Sequence, residues 1–279
     1  SQFVSVDGVR LHYQVVGQDT PRLPIIFTHG GGPGSTAWSN FRLSAETFAT
    51  RHRCYFLDFA QFGRSDMVPV HGPLLGWHAR KLLGFMDALG LERVHLINQS
   101  LGGAVALRLA ADSPQRVGRL ISIGAQPVDR GVLQPLPLFS KHAATLMSDY
   151  YLSDGGPSIS KMRVLLGRYE LHNDELLDDE NLRLRFEASD NASFIQLLQT
   201  PGAFGEWESL LPVLDRVQAP TLLCWGLHDW FGSVDVPMMM LNRLPDARLH
   251  VFGNAAHHLQ SECPDEFNRL ALSFIGAHE

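Results

Sequence analysis

No apolar run in this 279-residue chain approaches the ~18 residues that a membrane-spanning helix needs. Basic residues are in the minority. Lys and Arg number 23 against 29 Asp and Glu, a net charge of −6, which leaves no clustered basic face of the kind nucleic acid requires. Cysteine is scarce: Cys54, Cys224 and Cys263 form no Cys-x-x-Cys pair, which excludes a zinc ribbon and a dithiol redox centre. Cys54 and Cys224 fall in apolar, strand-like runs and read as small buried hydrophobes. The opening residues lack the charged and then apolar segments of a signal peptide, so the expectation is a cytoplasmic protein. Internal repeats and low-complexity tracts are also absent. The run Gly30-Gly31-Gly32-Pro33-Gly34 has neither the spacing of a dinucleotide fingerprint nor a following Walker lysine, and Pro33 blocks a helix start there.

What is present centres on residues 94–107. Val94 to Ile97 reads as a short apolar strand, Ser100 sits on a sharp turn, and a helix follows from Leu101 to Ala111. A serine on a strand-to-helix turn is the nucleophile elbow of an α/β-hydrolase. Small residues are needed where strand and helix nearly collide. Gly102 supplies one, but the position two before the serine holds Asn98, whose tolerance of unusual backbone angles lets the turn form. Around this stretch, strands and helices alternate up to about residue 124: a hairpin over 3–16, strands at 24–28, 54–57 and 120–123, and helices at 38–50 and 74–89. That alternation predicts an α/β fold with a mostly parallel eight-stranded sheet flanked by helices. Residues 130–206 show no convincing strand, are broken by Pro135, Pro137 and Pro157, and carry charged helical pieces at 158–171, 174–187 and 192–198. They read as a helical cap inserted between core segments 1–129 and 207–279. The core resumes with a strand at 220–225, a helix at 236–244, a strand at 247–252 and a closing helix at 266–275.

A serine becomes a useful nucleophile only when a base takes its proton and a third group orients that base. In this fold the chain order is serine, acid, histidine. Asp229 lies just past the strand 220–225, and the pair His257 and His258 lies just past the strand 247–252, where open α/β sheets place their sites. Ser100, Asp229 and His257 are therefore the expected catalytic residues, with Asp129 as a competing acid. His228 is read as a plain loop residue. The adjacent histidines with Asp229 lack a third ligand at metal-binding spacing, so no metal or other cofactor is expected. An oxyanion hole needs two converging N–H groups. Leu101, directly after the nucleophile, and Gly31, in the glycine-rich loop, are the expected donors.

The chain also resembles one branch of the α/β-hydrolases, the meta-cleavage product hydrolases, which cut carbon–carbon bonds in ring-fission products. The similarity runs over nearly the whole chain. It rests on His29-Gly30-Gly31-Gly32-Pro33-Gly34 with Trp38-Ser39-Asn40, on Gly63-Arg64-Ser65-Asp66, Met86-Asp87-Ala88-Leu89 and Arg185-Phe186-Glu187, and on Asp265-Glu266-Phe267-Asn268-Arg269-Leu270. The resemblance implies a small acidic substrate, a 2-hydroxy-6-oxo-hexa-2,4-dienoate with an alkyl or aryl group. Arg185 would grip its carboxylate and Asn40 its oxo group, while Gly30, Gly32, Gln99, Phe231 and His258 would line the site. It also implies a homodimer or larger homo-oligomer. The sequence departs from the pattern at Asn98, Gln99, Ala256, Trp230 and His258, where the family carries Gly, Asn, Gly, Arg and Trp. A carboxylesterase, lactonase or amidase acting on a small acidic substrate would show the same triad. The Gly-Gly-Pro-Gly run is shared with proline iminopeptidases, which need acidic cap residues for the substrate amine, and Arg185 argues the other way. A non-catalytic binding protein on this fold would bind ligand without turnover.

Overall fold

Apolar side chains alternate onto opposite faces of consecutive strands, and both faces are covered. The computed structural model describes residues 1–126, 137–153 and 155–276, without the side chains of 137–144. In chain order the strands are β1 (Gln2–Val6), β2 (Val9–Val16), β3 (Ile25–Thr28), β4 (Cys54–Leu57), β5 (Val70–Pro73), β6 (Val94–Gln99), β7 (Val117–Ile123), β8 (Phe204–Glu206), β9 (Thr221–Gly226) and β10 (Ala247–Phe252). Eight of them form one sheet in the order β1-β2-β4-β3-β6-β7-β9-β10. The β1–β2 and β2–β4 pairs are antiparallel and the rest parallel. Ile26, Leu96, Leu120 and Leu223 face one apolar layer, while Ile25, Phe27, Ile97, Ile121 and Leu222 face the other. Such two-sided burial is what a parallel sheet wrapped by helices demands.

Helices α1 (Ala37–Ala49), α9 (Leu259–Glu262) and α10 (Pro264–Gly276) cover the second layer; α2 (Leu74–Ala88), α3 (Leu101–Asp112) and α8 (Asp235–Leu241) cover the first. Thr36 and Ser39 form a capping box at the start of α1, and Asp58, at the end of β4, accepts the Ala37 N–H at 3.1 Å. The glycine-rich loop before α1 is thus tied at its far end to the sheet.

The segment expected to be a cap contains α4 (Pro137–Leu152), α5 (Ile159–Leu165), a π-helical turn (Leu166–Glu170), α6 (Asp179–Ser189) and α7 (Ala192–Leu198). Pro137, read from sequence as a breaker, stands at the first described position of α4, where a proline is tolerated. Tyr150, Tyr151, Met162, Leu165, Leu166, Leu182 and Phe194 form an apolar cluster separate from the two sheet layers. The expected boundary near residue 130, and Asp129 with it, lies outside the described residues. The absence of strands from 130–206 does not hold: β8 pairs in parallel with β5, through contacts such as Val70 N–H to the Ala203 carbonyl at 2.8 Å. Three residues around a glycine (Gly205, φ 67°) offer no apolar alternation to read, because the pairing is made by backbone alone.

Asn98 also differs from expectation. It is not among the residues with positive φ; it lies in β6, fully buried, and its amide bridges the two neighbouring strands. Thr28 Oγ1 of β3 donates to Asn98 Oδ1 at 2.7 Å, and Asn98 Nδ2 donates to the Ile121 carbonyl of β7 at 3.3 Å. A larger residue fits here because its polar atoms are satisfied on both sides. Replacing Asn98 by Ala strands the Thr28 hydroxyl in a dry interior, so a loss of about 1–3 kcal/mol is expected by urea denaturation. An unchanged midpoint would refute this role.

Candidate active site

Ser100 is the turn itself. Its backbone sits at φ 51°, ψ −114°, a region that L-residues rarely occupy, and strain of this kind costs on the order of 1–3 kcal/mol. Three hydrogen bonds hold it: Ser100 N–H to the Ile123 carbonyl at 2.7 Å, Ala104 N–H to the Ser100 carbonyl at 3.1 Å, and Gly102 N–H to the His29 carbonyl at 3.0 Å. A Cβ on Gly102 would stand 2.5 Å from Thr28 Oγ1 and 2.8 Å from the His29 carbonyl oxygen; one on Gly103 would stand 2.6 Å from Ala125 Cβ. Both glycines are therefore required for the close approach of α3 to the sheet.

The glycine-rich loop lies beside the start of α3. A Cβ on Gly31 would be 3.6 Å from the Leu101 side chain, so these two residues are neighbours across the expected oxyanion position. The first N–H groups of a helix have no intrahelical acceptor, and the helix dipole favours negative charge there. Asn40, 2% exposed, fixes the loop: its Oδ1 accepts from Gly30 N–H at 3.0 Å and from Ser35 Oγ at 3.1 Å. Its Nδ2 is buried with no partner among the described residues. His29 donates from Nδ1 to the Gly30 carbonyl at 2.7 Å and accepts the Phe59 N–H on Nε2 at 3.0 Å, which makes it a neutral ring. Burial pushes its pKa down, as that tautomer requires.

Asp229 and His257 meet at 2.8 Å, Oδ2 accepting from Nδ1, with both residues buried. The other carboxylate oxygen accepts the Phe231 N–H at 2.7 Å and the Gly232 N–H at 3.2 Å, so the acid cannot rotate away from the ring. The Phe231 ring packs on His257 with centroids 4.6 Å apart. Gln99 is fully buried; its Nε2 donates to the His257 carbonyl at 3.3 Å, and its Oε1, which has no partner, presses against Gly30. Gln99 thus holds the loop carrying His257 and fills the space beside Gly30. Gly124, immediately after the carbonyl that holds Ser100 N–H, has φ 56°, and a Cβ there would lie 2.9 Å from His257 Nδ1 and 3.1 Å from Asp229 Oδ2. The same short stretch therefore touches the serine backbone and the acid–base pair.

Arg185 is fully buried, but its guanidinium is not open. It donates to both oxygens of Glu170, Nη1 to Oε2 at 2.7 Å and Nη2 to Oε1 at 2.9 Å, and Nε donates to the Pro33 carbonyl at 2.9 Å. His258 completes the cluster, its Nε2 lying 3.0 Å from Glu170 Oε2. Gly32 roofs it: a Cβ there would be 2.8 Å from Glu170 Oε1 and 3.1 Å from Arg185 Nη2. Burial is the largest single influence and acts to raise the Glu170 pKa, yet the Arg185 charge and hydrogen bonds together with the neighbouring histidines outweigh it and hold the carboxyl at about 2. Burial carries His258 down to about 3 against the pull of Glu170, so it is a neutral donor at pH 7. Among the described residues no group of three or more His, Cys, Asp or Glu could hold a metal ion, and no helix is long and apolar enough to cross a membrane.

Residues 24–264 match the family model for the alpha/beta hydrolase fold. The 2-hydroxy-6-oxononadienedioate/2-hydroxy-6-oxononatrienedioate hydrolase of Pseudomonas sp is 33% identical over 257 residues, covering 90% of this chain and 87% of that protein. The 2-hydroxy-6-oxo-6-phenylhexa-2,4-dienoate hydrolase of Burkholderia cepacia is 32% identical over 285 residues, 99% of this chain and 96% of that one. The solved structure of a meta-cleavage product hydrolase from Pseudomonas fluorescens IP01, complexed with acetates, matches with a TM-score of 0.82 at 27% identity, over 100% of this chain and 98% of that one. The chain belongs to the α/β-hydrolase fold family, in its meta-cleavage product hydrolase branch.

Several residues that shape this hydrolase's site escaped the sequence reading. Gly124 had no motif around it. Glu170 lies within the charged helical piece expected over 158–171, where nothing in the sequence marks it as buried. Glu262 accepts from the N–H groups of Ala256 at 2.7 Å, His172 at 2.7 Å and Asn173 at 3.1 Å, joining the base loop to the helical segment. His228, read as a plain loop residue, stacks on His172 with centroids 3.7 Å apart. For Glu170 and Glu262, no local signal distinguishes a surface polar residue from a buried one.

Gly124→Ala is expected to lower kcat at least tenfold while the protein stays folded, since the added methyl displaces the His257 ring; wild-type kcat in a folded variant would contradict this. Stability should also fall in acid. His29 and His258 have folded pKa values below the ordinary 6.5, so their contribution is complete above that pH and is lost as pH falls through the folded values. The Glu170 contribution is complete above 4.5 and is lost toward about 2. Urea unfolding should show stability declining by about 1 kcal/mol per pH unit on account of His258 as pH falls from 6.5 toward 4, with His29 acting in the same direction, and His258→Gln should reduce the slope. A flat profile would refute the neutral, buried state of these rings.

Proposed function

We propose that this hydrolase cleaves a carbon–carbon bond of a vinylogous 1,5-diketo acid of the 2-hydroxy-6-oxo-hexa-2,4-dienoate type, using Ser100, His257 and Asp229. The observation that carries the reading is the buried Asp229–His257 pair beside an elbow serine whose oxyanion loop is fixed by Asn40. The full-length likeness to relatives named for such substrates supports it.

The dienol first ketonises, moving the hydroxyl proton to C5. Ser100, or a water deprotonated by His257, then attacks the C6 carbonyl. The developing oxyanion is held by the N–H groups of Gly31 and Leu101, a type of contact worth on the order of 3 kcal/mol per donor. The C5–C6 bond breaks, its electron pair leaving as the dienolate, which takes a proton and departs as a 2-hydroxydienoate. The acyl half leaves as a carboxylic acid, so one water is consumed overall. His257 moves the protons, with Asp229 fixing the ring so that its Nε2 is the working nitrogen. The unpartnered Asn40 Nδ2 is placed to donate to a substrate oxygen. Helices α4 to α7 act as the cap over this site, and Arg185, already held by Glu170, is the cation that an acidic substrate must compete for. The chemistry requires no metal or organic cofactor.

A second reading, hydrolysis of an uncharged ester or amide, is favoured by one observation: Glu170 already neutralises Arg185. A panel of alkyl- and aryl-substituted dienoates with short acyl esters separates the two. Loss of dienolate absorbance with formation of two acids is expected, and ester cleavage without any dienoate turnover would reject the carbon–carbon reading. Ser100→Ala should lower kcat by several orders of magnitude on whichever substrate is cleaved; retained turnover would remove Ser100 from the mechanism.

A further inference from the structure

We infer that Glu170 determines specificity: it is an internal carboxylate seated on the cation-binding face of the pocket, so that a substrate acid must compete with it for Arg185 and His258. The inference rests on the reading of this cluster as part of the substrate site, and it changes which substrates the site prefers.

The geometry is that of a carboxylate already bound. A planar guanidinium presents two parallel N–H groups that fit a carboxylate edge. In this chain that edge belongs to Glu170, with contacts of 2.7 and 2.9 Å. A third donor, His258 Nε2, reaches the same carboxylate at 3.0 Å. All three side chains are nearly sealed from solvent, with side-chain exposures of 1% for Arg185, 4% for Glu170 and 5% for His258. The cluster is nevertheless part of the site. Gly32 of the oxyanion loop lies directly against it, and the neighbour of His258 is the base, with ring centroids 5.8 Å apart.

A buried ion pair of this geometry cancels the field that an isolated arginine would project toward a ligand. An incoming carboxylate meets no net positive charge here and is repelled by Glu170 at close range. A neutral group of the same shape, an amide or an ester, faces no such repulsion. Glu170 ends the π-helical turn Leu166–Glu170, a wider turn than an α-helix makes, and its backbone carbonyl accepts the His258 N–H at 3.0 Å. The carboxylate is thus held on both its backbone and side-chain sides and is not a surface group that has swung inward.

The test uses a matched pair of unreactive probes, sorbate (hexa-2,4-dienoate) and sorbamide, as competitive inhibitors of whichever substrate the purified protein cleaves. With wild-type protein sorbamide should bind at least as tightly as sorbate. A tenfold preference for sorbate would overturn the inference without any variant being made. With Glu170→Gln, which keeps the side-chain shape but removes the charge, the sorbate-to-sorbamide ratio of inhibition constants should shift at least tenfold toward sorbate. The KM of an acidic dienoate should fall at least tenfold relative to that of its methyl ester. Ratios within twofold of wild type would overturn the inference. Failure of the carbon–carbon reading looks different: no dienoate is turned over by either protein, yet the probe ratios are still read against short-ester cleavage.

Discussion

The backbone of Ser100 must be held in a left-handed conformation, and much of the surrounding structure follows from that constraint. The strained turn sets the serine at the carboxyl edge of the sheet, where α3 begins. It is stable only because its neighbours are fixed: the Ile123 carbonyl from β7, the His29 carbonyl from the oxyanion loop, and two glycines where α3 meets β3 and the end of β7. Each of those partners has a second duty. Ile123 leads into Gly124, whose missing side chain leaves room for the Asp229–His257 pair. His29 is a neutral ring that orders the loop carrying Gly30 and Gly31. Strain at one residue is therefore balanced by contacts that also place His257, Asp229 and the loop carrying Gly30 and Gly31.

A second polar centre joins the helical segment to the sheet. Arg185 binds Pro33 of the oxyanion loop, Glu170 binds Arg185 and His258, and Glu262 binds the backbone of both Ala256 and His172. Breaking one partner of such a buried pair is costly, on the order of 3–5 kcal/mol, because the remaining charge stays in a dry site. The same interaction docks α6 on the glycine-rich loop and leaves the Arg185 charge paired.

The sheet was legible in the sequence because its strands are apolar on both faces and its helices are long and periodic. The positions of Ser100, Asp229 and His257 were legible because each follows a strand in the order this fold uses. The long-range polar pairs were not. Asn98 reads as a turn residue that tolerates unusual backbone angles, yet it is a strand residue whose amide is satisfied by β3 and β7. Arg185 stood out by resemblance, but its partner Glu170 is 15 residues away across a π-helical turn that no periodicity announces. Gly124 and Glu262 act through close approach and backbone contacts, which depend on the assembled fold. Strand β8 is too short to carry a pattern.

The central claim is that Ser100 is a nucleophile activated by His257 and Asp229. Its most direct measurement is peptide mass spectrometry of the intact protein after treatment with a fluorophosphonate. One phosphonyl group is expected per chain, on Ser100, with the labelling rate collapsing in His257→Ala and Asp229→Asn. Labelling at another residue, or an unchanged rate in those variants, would contradict the account.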